Sequence, residues 1–351
     1  MTTWLRNRNR LLNFFHAAFH IGRGGWPTED VPDVPVVPPL PPVPDTPPAP
    51  PVVPDVPVVI PDVPPVVPDV PPVTATPYVQ ASGQQLTLQG QPWRFVADTA
   101  WWLDKCRNLA LYLDTRQKQG FNTIIFSMDG DWFTGSVSRP DERRFAILDR
   151  IRMEIASRGM FLILTPNLHQ YENGNPVLRL PRSEAAAFGA YYGTRYGASP
   201  AIAFWMVGGL DDKGVVSPAD IAAIGTGIRG ADANHLITYH PRAKHSTAEV
   251  FPPSNIYQIA LYQSYHEYLP SAHDAAFRGM RAQGIPFANI EGPFENDSGV
   301  PVEQVAAVGA LARKHNPCGY AYGHGDVWTM GRGWEDALNA PGLRAWLRAI
   351  R

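Results

Sequence analysis

The chain has 351 residues, and 37 of them are proline. Twenty-one prolines fall between Pro27 and Pro77, and because each ring removes an N–H donor, that stretch can form neither helix interior nor central strand. The formal net charge of −2 gives no basic footprint for nucleic acid, and two cysteines make neither a disulfide framework nor a metal quartet. No apolar run reaches the roughly 18 residues of a membrane-spanning helix.

The first segment, residues 1–26, is basic and amphipathic. Arg6, Arg8 and Arg10 precede a group of leucines and phenylalanines that begins at Leu11. We expect a helix that docks the chain to a larger assembly. A membrane-surface helix and a signal peptide are the alternatives, although His16 interrupts the apolar core that a signal needs.

Residues 27–77 form a low-complexity stretch of proline, valine and aspartate. A seven-residue repeat starts at Val53, Ile60 and Val67. Polyproline II rises about 3.1 Å per residue, so residues 31–77 would reach roughly 150 Å when extended. We interpret the stretch as a stiff spacer, with a peptide ligand for an SH3-type domain as the alternative.

The body of the chain, residues 78–351, alternates strands with helices after a predicted hairpin over residues 85–93. The predicted strands are Arg94–Ala97, Thr123–Ser127, Phe161–Thr165, Ala203–Val207, Leu236–Tyr239, Ile256–Tyr262, Phe287–Ile290 and Gly319–Tyr322. The predicted helices are Leu109–Gln119, Arg143–Arg158, Ser183–Tyr196, Pro218–Arg229, Ala272–Gln283, Val302–His315 and Leu343–Ile350. Only the connection between the fifth and sixth strands lacks a helix. This pattern predicts an α/β fold, a (β/α)8 TIM barrel, and no glycine-rich phosphate loop supports a Rossmann fold.

Polar and aromatic residues follow nearly every predicted strand, where a barrel builds its active site. The candidates for substrate binding are Asp98, Trp102, Asp129, Trp132, His169, Tyr239, His240, Gln263, His266, Glu295, His324 and Trp328. Asp98 could instead cap the next helix, and the tryptophans could pack in the wall. The histidines have no short ligand spacing, so we expect sugar contacts or a supporting role and no metal site.

Two carboxylates are the central candidates for chemistry. Glycoside hydrolysis needs one carboxyl group to protonate the leaving oxygen and a second to attack or to activate water. Glu291 directly follows the seventh strand, and Asp211, or Asp212 in its place, follows the fourth. The alternative for Glu291 is a buried ion pair or a loop cap, and for the aspartates it is a polar turn.

The body resembles the apiosidase-like glycoside hydrolases along nearly its whole length. The resemblance rests on ordered motifs: the opening hairpin from Gln89, Ala97-Asp-Thr-Ala-Trp-Trp102, Gln119-Gly-Phe-Asn-Thr-Ile124, Arg195-Tyr-Gly197, Trp205-Met-Val-Gly-Gly209, His235-Leu-Ile-Thr-Tyr-His-Pro241, Gln263-Ser264, Glu291-Gly-Pro-Phe-Glu295 and Gly319-Tyr-Ala-Tyr-Gly-His-Gly-Asp-Val-Trp328. It implies a (β/α)8 barrel and a retaining mechanism in which Glu291 is the nucleophile.

The same resemblance implies an aspartate acid/base after the fourth strand. The family reads Gly-Gly-Asp there, and this chain reads Gly-Gly-Leu-Asp-Asp, so Asp211 has either shifted by one residue into the role or the acid is lost. The proline-rich stretch is outside the family pattern.

The leading hypothesis is therefore a glycosidase without cofactor, presented on a stiff tether. Its expected partners are an oligo- or polysaccharide and, through the N-terminal segment, a virion or cell surface, to which the chain docks alone or as a homo-oligomer. A tail fibre of a phage fits this plan, as does a secreted or wall-attached enzyme. The alternative function is a non-catalytic glycan- or receptor-binding module on a degenerate glycosidase barrel.

Overall fold

The computed structural model describes residues 76–128, 132–133, 136–166, 182–208, 218–265, 270–297 and 299–351. The sequence-based segments 1–26 and 27–77 lie outside these ranges, apart from Thr76 and Pro77. The described structure is therefore that of the body of the chain.

A three-stranded antiparallel sheet precedes the barrel. Its strands are β1 (Val79–Ser82), β2 (Gln85–Leu88) and β3 (Gln91–Trp93). Gln89 and Gly90 both have positive φ, 53° and 75°, which is the geometry of a two-residue type I′ turn, and the predicted hairpin is confirmed. β1 was not predicted, because its four residues contain one buried apolar side chain, Val79, and show no alternation.

The barrel consists of eight parallel strands: β4 (Phe95–Thr99), β5 (Thr123–Ser127), β6 (Phe161–Thr165), β7 (Ile202–Val207), β8 (Leu236–Tyr239), β9 (Ala260–Gln263), β10 (Phe287–Glu291) and β11 (Gly319–Tyr322). They pair in the order β8-β7-β6-β5-β4-β11-β10-β9, so the first strand of the barrel lies beside the last. The strands are nearly continuous apolar runs because both of their faces are covered. The predicted (β/α)8 barrel is confirmed.

Helices surround the strands: α1 (Leu109–Gln119), α2 (Glu142–Ser157), α3 (Arg182–Tyr196), α4 (Pro218–Ala231), α5 (Pro270–Ala282), α6 (Val302–Lys314), α7 (Gly325–Trp328), α8 (Trp334–Ala337) and α9 (Pro341–Ile350). As predicted, no α-helix joins β8 to β9, and the connection holds only a 3-10 turn at Thr247–Glu249. Between β8 and the start of β9, the Gln258 N–H donates to the Ile237 carbonyl at 2.9 Å, and the Thr238 hydroxyl donates to the Ile259 carbonyl at 2.7 Å. These bonds join β8 to the residues just ahead of β9, so the barrel is nearly closed.

Alternating side chains divide each strand between two environments. The inner face points into the barrel, as Phe95, Ala97 and Ile125 do, and the outer face packs against the helices, as Ile124 and Phe126 do. The inner face is crowded: a Cβ at Gly319 would lie 2.2 Å from the Phe95 ring, so glycine is required there. This alternation, together with a shift of register between Asn289 and Glu291 on β10, decides which strand-end residues reach the cleft.

The small N-terminal sheet closes the base of the barrel. Val79 and Leu86 pack into the same apolar cluster as the inner face. The Tyr78 hydroxyl donates to the Ala198 carbonyl, just ahead of β7, and the Gln80 amide donates to the Asn234 carbonyl, just ahead of β8. The chain therefore enters the barrel at the end where the strands begin.

Candidate active site

Glu291 and His240 meet at the end of the barrel where the strands finish. Glu291 is the last residue of β10 and is 7% exposed. Its Oε2 lies 2.8 Å from Nε2 of His240, the residue after β8. His240 Nε2 makes no hydrogen bond of acceptable geometry, so the contact is a close approach of the two atoms without an aligned bond. The structure thus brings together two residues that the sequence analysis had placed in the site.

Trp101 completes this cluster and was not among the sequence-based candidates. Its ring centroid lies 5.5 Å from that of His240, edge to face, and the side chain is buried in the inner apolar cluster. A buried indole beside the imidazole limits the rotamers that His240 can adopt. The signal that could have found Trp101 is strand parity, because Phe95 and Ala97 face inward and the same alternation continues to it.

The backbone of Glu291 is held by the segment that follows β9. Its carbonyl accepts from the N–H groups of Ser264 at 2.9 Å and Tyr265 at 3.3 Å, and Tyr265 adopts a left-handed φ of 53°. The Asn289 amide donates to the Ser264 hydroxyl at 2.9 Å. The predicted site residue Gln263 stands beside Glu291 in the β9–β10 register and accepts a backbone bond from Lys244. Ser264 and Asn289 were missed, since each is a common core polar residue when seen alone.

His324, another candidate, sits just beyond β11 with a defined tautomer. Its Nδ1 accepts from the Asp326 N–H at 3.1 Å, so the ring acts as the N-cap of α7. Nδ1 must be unprotonated to accept this bond, which leaves the proton on Nε2. Burial lowers the pKa of His324, so the neutral ring is favoured. His324 can therefore offer one N–H donor.

The candidates Trp102 and Trp328 are neighbours. Their ring centroids are 5.2 Å apart with an interplanar angle of 59°, and the backbone N–H of Trp102 donates to the backbone carbonyl of Trp328. The Nζ of Lys105 lies 3.4 Å from the centroid of the Trp102 ring, within cation–π range. Both indoles are half-buried. The stacking of a sugar on these two rings stays a prediction.

Asp98 faces the helix layer and not the cleft. Its Oδ2 accepts from Arg116 Nε at 2.6 Å and from the Tyr112 hydroxyl at 2.7 Å, both on α1, and the Asp98 and Arg116 side chains are fully buried. Burial raises the pKa of Asp98, and Arg116 opposes that rise. The contact differs from the predicted substrate contact, because Asp98 lies on the outer face of β4.

Glu295 also points away from the cleft. Its Oε1 accepts from the Gly342 N–H at 2.6 Å, and its Oε2 accepts from the Tyr322 hydroxyl at 2.6 Å and the Leu343 N–H at 2.8 Å. Both carboxylate oxygens are thus engaged by the first turn of α9. The side chain is 4% exposed and caps a helix, in place of the predicted sugar contact.

Trp132 and Tyr239 are wall residues. Trp132 is buried against Phe145, with ring centroids 5.4 Å apart. The Tyr239 hydroxyl donates to the Thr247 carbonyl at 3.3 Å, and burial raises the pKa of this phenol well above its usual range. Wall packing, the alternative for the tryptophans, holds for Trp132, and Tyr239 faces outward because it lies one residue before the inward-facing His240.

Five further candidates lie outside the described residues. They are Asp129, His169, Asp211, Asp212 and His266. Within the described ranges, no group of three or more His, Cys, Asp or Glu side chains could hold a metal ion, and no helix is long and apolar enough to cross a membrane.

Comparison with known proteins gives the family. The model of the apiosidase-like catalytic domain matches residues 81–349. The chain belongs to the apiosidase-like family. Among curated protein sequences, none matches this chain.

Solved structures similar to this apiosidase-like barrel are glycoside hydrolases. A glycoside hydrolase family 5 protein from Bacteroides vulgatus has a TM-score of 0.66 at 21% identity, over 76% of this chain and 70% of that one. An endo-1,4-beta-mannanase from Rhizomucor miehei has a TM-score of 0.56 at 16% identity, over 74% of this chain and 99% of that one. An endocellulase from Pyrococcus horikoshii has a TM-score of 0.54 at 13% identity, over 77% of this chain and 98% of that one. These likenesses show the (β/α)8 barrel fold.

In this apiosidase-like domain, the described cleft wall runs from β8 through β11 to β4. It combines one buried carboxylate, two histidines and an aromatic pair at or just beyond the ends of these strands. A carboxylate held beside an imidazole, with aromatic surface next to it, can contact both the charged and the apolar face of a sugar.

Proposed function

We propose that the protein is a glycoside hydrolase that retains anomeric configuration, with Glu291 as its nucleophile. The observation that carries the proposal is the placement of Glu291: at the end of β10, buried, and 2.8 Å from His240 Nε2, in the catalytic domain of a glycosidase-like family. A carboxylate in this position is suited to attack a sugar carbon presented at the mouth of the barrel.

The two oxygens of Glu291 have different surroundings. Oε2 faces His240, so we assign Oε1 to the attack on the anomeric carbon. A new C–O bond to Glu291 forms as the bond to the leaving oxygen breaks, and an acid delivers a proton to that oxygen. Water then hydrolyses the glycosyl-enzyme ester and returns the proton to the same acid, which has become a carboxylate.

We assign the acid to Asp211, with Asp212 as its substitute. The support is the sequence Gly-Gly-Leu-Asp-Asp after β7, beside the Gly-Gly-Asp that the family resemblance leads us to expect. Replacing Asp211 by Asn should slow substrates with poor leaving groups far more than activated aryl glycosides, which need little protonation. Equal slowing of both substrate types would contradict the assignment.

The nucleophile is tested on the full chain with a panel of plant and bacterial glycans. Wild type should release reducing ends, and the first product observed by NMR should keep the anomeric configuration. Glu291→Gln should lose at least about a thousandfold in kcat. The matched control is Glu303→Gln, the same change at an exposed position in the first turn of α6, which should leave kcat unchanged.

Chemical rescue makes the test specific for a nucleophile. In Glu291→Ala, added azide should restore turnover and yield a glycosyl azide of the opposite anomeric configuration, because the azide attacks from the vacated side. Turnover by Glu291→Gln equal to that of wild type, with no rescue, would refute the role.

The second candidate function is a glycan-binding module without turnover. The leucine inserted before Asp211 favours it, since it displaces the carboxylate of the expected Gly-Gly-Asp motif. Saturable glycan binding without release of reducing ends, unchanged in Glu291→Gln, is the result that this function predicts.

The proline-rich segment supports a proposal about presentation. We propose that residues 1–77 carry the barrel as a stiff tether on a virion or cell surface, with the first 26 residues docking to it. The support is the density of prolines between Pro27 and Pro77. Small-angle scattering of the full chain should give a maximum dimension larger than the barrel alone by roughly 100 to 150 Å. A compact particle would contradict the tether.

A further inference from the structure

The C-terminal helix α9 begins without a cap of its own. Its N-cap residue is Ala340, whose methyl group cannot accept a hydrogen bond, so the first N–H groups of the helix need another partner. Glu295, some 45 residues earlier in the chain, supplies it through bonds of 2.6 Å to Gly342 and 2.8 Å to Leu343. A negative charge at this position also complements the positive end of the helix dipole.

Position 342 of α9 needs a glycine because the Glu295 carboxylate lies so close to it. A Cβ built at Gly342 would lie 2.4 Å from Glu295 Oε2 and 2.5 Å from its Cδ, so only glycine allows the contact at its present distance. The rest of α9 is anchored separately, since the Trp346 ring stacks on Phe121 at 10° with centroids 6.0 Å apart. The carboxylate therefore meets a helix whose position is already fixed by packing.

The same residue is tied to the cleft through its backbone. The Glu295 N–H donates to the Gly323 carbonyl at 3.0 Å, and its carbonyl accepts from Gly325 at 2.7 Å, which places the two bonds on either side of His324. Glu295 also follows Glu291 by four residues on one short loop. One residue thus joins the loop after the nucleophile, the His324 segment and the C-terminal helix.

We propose that Glu295 is a positioning residue, through which the C-terminal helix fixes Glu291 and His324 in the cleft. The proposal rests on the proposed glycosidase function, because the positions it explains are those of a nucleophile and a substrate donor. Glu295 itself does not touch substrate, since both of its oxygens are used by α9 and Tyr322.

The first test is Glu295→Gln, with Glu303→Gln as the matched control. An amide at position 295 turns one N–H group toward donors of α9 and removes the charge. We expect kcat to fall roughly ten- to a hundredfold, with KM within about threefold of wild type, because misplacement of reacting groups affects the chemical step. Unchanged kcat in a folded variant with a lower melting temperature would overturn the proposal. A rise in KM alone would also overturn it, because it would indicate a direct sugar contact.

The second test uses Gly342→Ala, which displaces the carboxylate without removing it. We expect the same loss of kcat, and the double variant should lose no more than the larger single variant, because both changes break one contact. Additive losses would overturn the proposal. This variant also carries the test if Glu295→Gln does not accumulate as folded protein.

Hydrogen exchange separates this proposal from the proposed function. If wild type releases no sugar, glycosidase activity fails, and the positioning role is judged by exchange alone. Amides of residues 292–297 and 323–328 should exchange faster in Glu295→Gln than in Glu303→Gln, while α2 stays unchanged. Equal exchange in the two variants would overturn the proposal whatever the activity.

Discussion

The ends of the barrel strands carry two sets of polar and aromatic side chains with different surroundings. Trp101, His240 and Glu291 face the cleft, where the His240 ring contacts both the Glu291 carboxylate and the Trp101 indole. Asp98 and Tyr239 lie at equivalent depths but face the helices, where each has a partner on the outer layer. Proximity to a strand end therefore does not by itself bring a side chain into the cleft. The face of the strand decides.

The two faces also differ in how polar groups are stabilised. On the outer face Asp98 is neutralised by Arg116, as a buried charge requires. On the inner face His240 Nε2 stands beside Glu291 without an aligned hydrogen bond. Each face keeps buried polar atoms without a hydrogen bond, Asp98 Oδ1 and Arg116 Nη2 on the outer face and His240 Nε2 on the inner face, and of these three His240 Nε2 stands at the cleft.

The largest effect on stability should come from removing the outer-face carboxylate of Asp98. Asp98→Ala leaves the Arg116 guanidinium buried without its carboxylate, which should lower the free energy of unfolding by about 3–5 kcal/mol. Denaturant unfolding measures the loss. The folded fraction should keep the kcat of wild type within about threefold, and a selective loss of kcat would place Asp98 functionally in the cleft.

The next effect should come from the inner face at His240. His240→Ala removes the imidazole from Glu291 Oε2 and frees the carboxylate to rotate, so kcat should fall about a hundredfold, which corresponds to about 2.7 kcal/mol in the activation barrier. Steady-state kinetics on the best glycan of the panel gives the value. The melting temperature should change far less than in Asp98→Ala. A larger loss of melting temperature in His240→Ala than in Asp98→Ala would refute the contrast between the two faces.

A smaller effect should appear as a pH dependence at His324. Burial lowers the pKa of this ring in the folded state, so as pH falls below about 6.5 the unfolded chain binds a proton before the folded protein does. The free energy of unfolding should therefore decrease toward acid. His324→Asn keeps an oxygen for the N-cap of α7 but cannot titrate in this range. As the pH is lowered from 8 to 5, the melting temperature should fall more steeply for wild type than for the variant. Parallel curves would contradict a lowered pKa of His324 in the folded state.

The smallest effect should be that of Tyr239→Phe. The substitution removes one 3.3 Å hydrogen bond to the Thr247 carbonyl and leaves the ring packed against Phe251, so the loss of stability should be at most about 1 kcal/mol. Turnover should match wild type. A drop in kcat would show that this outer-face phenol influences the cleft.

The sequence predicted the barrel well because its strands are short apolar runs buried on both faces. β5, β6, β8 and β11 begin and end where the alternation of apolar runs and helices places them. The sixth barrel strand begins at Ala260 and not at Ile256, because Ser254 and Tyr257 pair with each other in a turn ahead of it. An apolar residue in a turn and one in a strand look alike in a sequence.

The site was predicted only in part, for a physical reason. Glu291 and His240 follow apolar strands, and that pattern made them candidates together with Asp98 and Tyr239, which face outward. The outward direction of Asp98 follows from strand parity once Phe95 and Ala97 are known to face inward. The helix cap at Glu295 has no local signal, because its partners lie in the first turn of α9, far along the chain.

The base of the barrel has a practical consequence for how the protein can be held. Tyr78 and Gln80 bond to the turns that precede β7 and β8, so the chain joins the barrel on the side opposite Glu291. A solid support joined directly to Thr76 would therefore approach the barrel from the end opposite its mouth. A large probe could then reach the mouth of the immobilised barrel without the support standing in its way.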